Sequence, residues 1–107
     1  MIDHLYTDNF KAKVYVVVSN IPYGRLMTYG DIAGYCGIAH AARIVGGLAH
    51  FGPSDLLWHR VVNRFGGLSS GFPGGREVQA QLLSQEGVSC TAYIVDNFKD
   101  LRWQSQR

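Results

Sequence analysis

Apolar residues near the start of the chain recur at the spacing of an amphipathic helix. This spacing predicts a helix from Thr7 to Asn20, with Thr7 or Asp8 as its N-cap. The β-branched run over 14–18 would also suit a strand, but Pro22 ends the element with a turn in either case. The residues that recur at three- to four-residue intervals are Phe10, Val14, Val17 and Ile21.

Two further helical segments follow, separated by a glycine. Thr28 lies three residues before Asp31, which is a capping-box pattern just ahead of an apolar pair, so a short helix is expected to begin there. Gly37 is the predicted end of this helix, and the next helix is predicted from about Ala39 to His50. Two short helices joined by a glycine-containing turn have the outline of a helix-turn-helix.

The helix predicted from Ala39 to His50 has two unlike faces. One face is apolar and is expected to pack on the core; its residues are Ala41, Ile44, Val45 and Leu48. The other face carries small and basic residues, namely Ala39, Arg43, Gly46, Gly47 and His50. Each interior glycine costs a helix about 1 kcal/mol relative to alanine. Either tight packing against a neighbouring helix or the close approach of another molecule would offset that cost, and Arg43 favours a nucleic acid.

The second half of the chain predicts a small hairpin, a surface loop and a fourth helix. Residues 61–68 read as a strand that enters a turn, and the glycine-rich stretch 66–75 reads as a surface loop. The fourth helix is predicted from Arg76 to Glu86, with Gly87 at C′ and an apolar side that contains Val78 and Leu82. Glu86 lies at the end of that side, so either it is hydrogen-bonded or the last turn frays into water.

Composition restricts the class of protein. The 107 residues are 47% hydrophobic and 17% charged, which suits a globular protein with one domain over 1–107. We expect this protein to be monomeric and cytoplasmic, and to be associated with the nucleoid if it is prokaryotic. No apolar run approaches the ~20 residues of a membrane helix, and the opening residues lack the order of a secretory signal. Cys36 and Cys90 fit no metal-ligand spacing, so we expect structural thiols and no metal or cofactor. A net charge of +2 does not by itself indicate nucleic-acid binding.

Five segments, in order, together resemble the DNA-binding domain of the O6-alkylguanine-DNA alkyltransferases, and more closely the alkyltransferase-like proteins. These segments are Ile21–Gly24, Thr28–Ala33, Ala41–Gly47, Trp58–Asn63 and Glu86–Gly87. The resemblance implies a mainly α, winged-helix-like helix-turn-helix domain with a small β-hairpin. Such a domain docks its second helix in the minor groove of double-stranded DNA and rotates a damaged guanine into a pocket.

The resemblance also assigns roles to residues. Arg43 corresponds to the arginine that fills the gap in the base stack, and Tyr29 to the tyrosine beside the phosphate of the flipped nucleotide. Ala39, Gly46 and Gly47 would face the DNA. The lesion pocket would be formed by Trp58, Tyr29, Val61, Phe72 and Pro73, with the last two at its rim. Base extrusion costs a few kcal/mol, and it costs least where an O6-alkyl group has already weakened pairing.

The sequence departs from the alkyltransferases at the reactive position. The family's motif reads Pro-Cys-His-Arg, whereas this chain reads Leu57-Trp58-His59-Arg60, so the thiolate nucleophile is absent. An indole has a donor N–H and no available lone pair, so it cannot accept the alkyl group. His59 and Glu86 match the activating pair of the family, and we interpret them as a structural hydrogen-bond network.

These features predict a non-enzymatic sensor that binds O6-alkylguanine by base flipping and marks it for nucleotide excision repair proteins. Two alternatives remain: an alkyltransferase or other enzyme that uses a non-standard residue, such as a hydrolase acting through His59, and a helix-turn-helix regulator that reads sequence. Four further arginines are either phosphate contacts or ordinary surface groups and salt-bridge partners: Arg25, Arg60, Arg64 and Arg76.

Overall fold

The first helix, α1 (Asp8–Ser19), buries the apolar stripe that the sequence predicts. The computed structural model describes residues 8–53 and 55–104. Phe10, Val14, Val17 and the following Ile21 are all buried in the main core. Asp8 is the first helical residue rather than the cap, and the other predicted cap, Thr7, lies outside the described residues.

The helix-turn-helix is formed by α2 (Tyr29–Tyr35) and α3 (Ala42–Phe51), which pack against each other. The capping box is present: the Asp31 N–H donates to Thr28 Oγ1, and the Thr28 N–H donates to the Asp31 carboxylate, at 2.9 and 3.1 Å. Gly37 ends this helix with a φ of +98°, as predicted.

The start of α3 differs from the prediction. Ile38 donates its N–H back to Ala33, and Ala41 donates to Ile38, so residues 38–41 form a turn before the helix begins. Ala39 is therefore exposed in that turn and does not lie on the face of α3. The predicted apolar face does point inward, with Val45 fully buried and Ile44 and Leu48 packed against the core.

The predicted hairpin over 61–68 is wrong. Strand β2 (Val61–Val62) pairs in parallel with β1 (Met27–Thr28) instead of folding back on its own chain. The turn at 63–67 exists, but the Leu68 N–H after it donates to Tyr93. The hairpin of the described chain is β3 (Cys90–Thr91) with β4 (Ile94–Val95). Its turn holds Ala92 and Tyr93 at positive φ and lacks the glycine or asparagine that usually announces such a turn.

Helix α4 (Gly75–Gln85) turns a different face inward from the one predicted. Gln79 and Leu83 are fully buried, whereas Val78 and Leu82 are only half-buried. The buried face shifts because the Gln79 carboxamide donates to the carbonyls of His59 and Val61 and accepts from the Ser69 N–H. A hydrogen-bonded amide can thus take a core position that an apolar pattern does not reveal. Gly87, at φ +80°, follows the helix as expected.

The core divides into two clusters, one on each side of the β1–β2 pair. The larger cluster joins α1, α2, α3 and Trp58, and the smaller joins α4, the hairpin and α5 (Phe98–Leu101). Cys36 is buried in the larger cluster, as predicted, and Cys90 is half-buried in the hairpin. Within the described ranges, no helix is both long and apolar enough to cross a membrane.

Candidate nucleic-acid interface

An open groove of about 560 Å³ runs along the exposed side of α3. Arg43 projects from α3 into this groove and is exposed. Among the residues that the structure describes, Arg43 has no hydrogen-bond or ion-pair partner, so its guanidinium is available to a ligand. The residues that line the groove are Tyr29, Gly30, Ala42, Arg43, Gly46, Asn63, Arg64 and Phe65.

The two successive glycines of α3 have no packing explanation inside the described chain. A Cβ added at Gly46 or at Gly47 would meet no described atom within 4 Å. Within the described ranges, therefore, no neighbouring helix packs tightly against either glycine. Gly46 lines the groove and Gly47 does not, and both leave the backbone of α3 open to close approach from outside.

Tyr29 connects this groove to a pocket behind it. Tyr29 is the first residue of α2, so the Thr28–Asp31 capping box fixes the backbone conformation at Tyr29. Burial raises the pKa of the Tyr29 hydroxyl, and a hydrogen bond with the Ser69 side chain opposes that effect without cancelling it. The phenol is therefore neutral at ordinary pH and can donate a hydrogen bond.

The pocket lies between α3, the 3₁₀ turn Trp58–Arg60 and the loop that follows β2. Trp58 is only 5% exposed, and its Nε1–H donates to the carbonyl of Pro53 at 3.0 Å. The free volume is about 40 Å³, far too small for a purine. Its lining consists of Tyr29, Gly46, Ala49, His50, Trp58, Ser69, Gly71, Phe72 and Pro73.

Most of the predicted pocket residues meet here, and one does not. Tyr29, Trp58, Phe72 and Pro73 line the pocket, but Val61 is fully buried in the core as part of β2 and does not reach it. Sequence reasoning did not assign to the pocket five residues that line it: Gly46, Ala49, His50, Ser69 and Gly71. His50 did carry a signal, because it falls on the small and basic face of α3.

Glu86 is the centre of a buried ion-pair network with His59 and Arg60, which belong to the same 3₁₀ turn as Trp58. Its carboxylate accepts from Arg60 through Nε, at 3.0 Å to each oxygen, and through Nη2 at 2.8 Å. His59 Nε2 lies 2.7 Å from Oε2, and the Gly24 N–H donates to Oε1 at 2.8 Å. The Glu86 side chain is 7% exposed. The alternative of a frayed last turn is therefore wrong.

The network also determines the protonation of Glu86. Burial alone would raise the pKa of this carboxyl, but Arg60, the Gly24 N–H and His59 together outweigh burial and lower the pKa below its usual 4.5. Glu86 is thus ionised at neutral pH. Arg60 is 11% exposed and also donates to the carbonyl of Ile21, so it serves as a salt-bridge partner and not as a phosphate contact.

The other three arginines proposed as phosphate contacts have different surroundings. Arg25 donates to the carbonyl of Asp100 at 3.0 Å. Arg64 lies over the ring of Phe65 in the groove, and Arg76 lies over the ring of Tyr93 away from it; both guanidinium carbons are 4.8 Å from the ring centroid. Of these three, Arg64 alone lines the groove.

The pocket has no thiol among its lining residues. Burial raises the pKa of both Cys36 and Cys90, which disfavours their thiolate forms, and neither lines the pocket or the groove. Within 8–53 and 55–104, no three histidine, cysteine or acidic side chains are grouped so that they could hold a metal ion.

The helix-turn-helix, the exposed arginine and the pocket behind it define a nucleic-acid-binding domain. The chain belongs to the family described as 6-O-methylguanine DNA methyltransferase, DNA binding domain, whose model matches residues 9–88.

Two relatives and one solved structure refine this assignment. Alkyltransferase-like protein 1 of Schizosaccharomyces pombe is 43% identical over 86% of this chain and 88% of its own length. The DNA base-flipping protein of Escherichia coli is 41% identical over 90% of this chain and 75% of its own length. The crystal structure of the S. pombe protein with damaged DNA containing O6-carboxymethylguanine has a TM-score of 0.77 at 36% identity, over 92% of this chain and 98% of that one.

Enzymes of the family are similar over less of their length. The O6-methylguanine methyltransferase of Mycobacterium tuberculosis has a TM-score of 0.66 at 35% identity, and the match covers 80% of this chain but 52% of the enzyme. The expected family and helix-turn-helix fold are confirmed by these comparisons.

Proposed function

We propose that this protein recognises O6-alkylguanine in double-stranded DNA, flips the damaged base into its pocket and holds it there without alkyl transfer. Two observations on relatives support the proposal: the S. pombe structure contains DNA with an O6-alkylated guanine, and the E. coli relative is named for base flipping. The complex would then mark the lesion for nucleotide excision repair proteins inside the cell, as the resemblance implies.

The observation that carries the proposal is Trp58 beside an intact His59–Glu86 pair. In the family's motif a cysteine stands at this position, and displacement of carbon from oxygen needs its thiolate. The indole has no lone pair to offer, and its N–H is already used by Pro53. A base without a nucleophile has nothing to activate, so the pocket can bind an adduct but has no means of accepting it.

The groove supplies groups suited to flipping. Arg43 is long, cationic and unpartnered within the described chain, so it can enter the space that a flipped base leaves. Gly46 lets the DNA approach the backbone of α3 closely, and the neutral Tyr29 hydroxyl can donate to a phosphate. Extrusion of a base costs a few kcal/mol, which contacts of this kind must supply.

The pocket must enlarge before it can hold a base. A free volume of about 40 Å³ is about the space of one water molecule. Phe72 and Pro73 close it from the loop side, and Trp58 closes it from the core side. Because Trp58 is fixed by packing and by its hydrogen bond, we expect the loop over 69–73 to move outward when the base enters.

Two measurements test the proposal. The first compares the affinity of matched duplexes that differ by one O6-methyl group, at stated salt. We expect clearly tighter binding of the damaged duplex, whereas equal affinity would contradict recognition of the lesion. The second follows a labelled alkyl group, which should stay on the DNA; label on the protein would show an alkyltransferase. A preference that depends on sequence and ignores the methyl group would instead indicate a regulator.

A further inference from the structure

The wall of the groove opposite α3 carries an exposed aromatic ring. Phe65 is 67% exposed, although it is a large apolar side chain, and the guanidinium of Arg64 lies 4.8 Å from its ring centroid. Both residues line the groove into which Arg43 projects. An exposed phenylalanine beside two cations that have no ion-pair partner in the described part of the chain is a surface suited to a ligand that is both flat and anionic.

The turn that presents these two side chains is rigidly built. Asn63 Oδ1 accepts from the N–H groups of Phe65 and Gly67, each at 2.8 Å. Gly66 has a φ of +82°, accepts from the Val95 N–H at 2.9 Å and packs so closely that a Cβ would lie 2.9 Å from Phe98. The backbone that carries Phe65 is thus fixed before a ligand binds.

The charge of the groove indicates which ligand fits. Arg43 and Arg64 stand on its two walls, and no acidic residue is among those that line it. A DNA strand offers phosphates to the cations and sugar and base edges to the ring. Phenylalanine side chains that contact duplex DNA act as wedges against base steps, where they unstack the bases and kink the helix.

We propose that Phe65 and Arg64 form a second DNA contact across the groove from Arg43. Phe65 packs as a wedge against the base step beside the gap that Arg43 fills, and Arg64 pairs with an adjoining phosphate. This inference rests on the proposed function and extends it, because it adds a strand contact that neither the pocket nor the residues singled out for base flipping supply.

The chain contains a matched control. Arg76 lies over Tyr93 at the same 4.8 Å, and both of these arginines are exposed, but the Arg76–Tyr93 pair does not line the groove. Arg64→Gln and Arg76→Gln therefore remove the same charge and the same stacking contact. Only Arg64→Gln changes the lining of the groove.

The experiment measures the affinity of four variants for damaged and undamaged duplexes over a range of salt. We expect Phe65→Ala to bind damaged duplex about tenfold more weakly at every salt concentration, and Phe65→Leu to keep most of the affinity. Arg64→Gln should reduce the slope of log affinity against log salt by about 1, whereas Arg76→Gln should match the wild type. Thermal unfolding checks that the exposed substitutions leave the fold intact.

The outcomes separate this inference from the proposed function. Wild-type affinity in Phe65→Ala, or equal effects of Arg64→Gln and Arg76→Gln, would overturn the second contact even if the wild type prefers damaged DNA. A wild type that binds both duplexes equally would contradict lesion recognition, but loss of affinity in Phe65→Ala would still support the wedge. Variants that lose a protein partner and keep DNA affinity would show that the groove is a protein-docking surface.

Discussion

Two regions of the molecule, a buried inner side around Glu86 and an outer side along the α3 groove, use the same kinds of side chain in opposite ways. On the inner side, Arg60 is 11% exposed and bound to Glu86, and the other contacts of the two groups, with Ile21, Gly24 and His59, also lie within the chain. On the outer side, Arg43 is exposed in an open groove without a partner among the described residues. One arginine has its interactions within the folded chain, and the other is left free for a ligand.

This difference shows how residues that match a family's activating pair can also hold the fold together. His59 and Glu86 match residues that activate a cysteine, yet here their contacts belong to the fold: Arg60 and the turn at Gly24 depend on the same carboxylate. Loss of Glu86 would leave buried donors unpaired. The presence of the pair in this chain is therefore explained by its structural contacts.

The largest effect should come from the inner side. Glu86→Ala leaves the Arg60 guanidinium buried without its partner, so we expect the free energy of unfolding to fall by about 3–5 kcal/mol. Denaturant unfolding measures this change. Glu77→Ala, an exposed acid in the first turn of α4, is the matched control and should cost less than about 1 kcal/mol. Equal costs would show that the network does not stabilise the fold.

The contribution of Glu86 should depend on pH in a defined direction. Its folded pKa lies below the ordinary 4.5, so the stabilisation is fully present above about pH 5 and is lost as the pH falls through the folded pKa. The gap in unfolding free energy between the wild type and Glu86→Gln should therefore be open at neutral pH and close in acid. Asp31, whose pKa is also lowered, is common to both proteins and cancels. A gap that widened in acid would contradict this account.

On the outer side, Arg43→Ala should change binding and not folding. We expect affinity for damaged duplex to fall by about 1–3 kcal/mol, with unfolding free energy within about 0.5 kcal/mol of the wild type. Fluorescence titration and denaturant unfolding on the same preparation check both parts. Undiminished preference for the lesion would remove Arg43 from the flipping step, and a large loss of stability would break the contrast with Arg60.

Gly46→Ala should move stability and binding in opposite directions. An alanine Cβ at this position meets no described atom within 4 Å, so the variant should be more stable by about 0.5–1 kcal/mol, and it should bind DNA more weakly because the Cβ enters the groove. Gly34→Ala in α2 is the matched control, since its Cβ also meets nothing within 4 Å but lies outside the groove. It should gain the same stability and keep DNA affinity. Tighter binding by Gly46→Ala would contradict close approach at α3.

The smallest effect should come from an ion pair that belongs to neither side. Arg102 donates to Asp31 through Nε and Nη2, at 2.9 and 2.6 Å, but its side chain is 40% exposed. Arg102→Ala should therefore cost no more than about 1 kcal/mol, and added salt should shrink the difference. Thermal unfolding at low and high salt measures it. If Arg102→Ala lowered the unfolding free energy as much as Glu86→Ala, the difference in burial would not explain how much each ion pair contributes to stability.

Much of the helix-turn-helix was predictable because its signals are local. The Thr28–Asp31 capping box, Gly37 at positive φ and the apolar face of α3 each depend on residues a few positions apart. The start of α3 was not predictable in this way, because the turn over 38–41 is held by bonds back to α2. The hairpin was misplaced since Val61–Val62 pairs with Met27–Thr28, far away in the chain.

In the candidate site, too, local sequence signals identified some residues and missed those that depend on distant contacts. Trp58, Tyr29 and Arg43 were identified by their places in a motif, and the structure locates them around one pocket and its groove. Phe65 has no motif and was missed, because only the turn at 63–67 and its contacts with the hairpin direct its ring into the groove. Val61 was misassigned, since alternation along a strand could not tell that β2 is buried on both faces.

The sequence by itself determined the family, the two helices of the helix-turn-helix and the absence of a thiol at position 58, because these are properties of residue type and short spacing. Tertiary structure alone decided which arginines are available to DNA and which are held inside, and that the paired glycines of α3 are open. Those outcomes depend on burial and on partners distant in the chain, such as Glu86 for Arg60, and no local pattern records them.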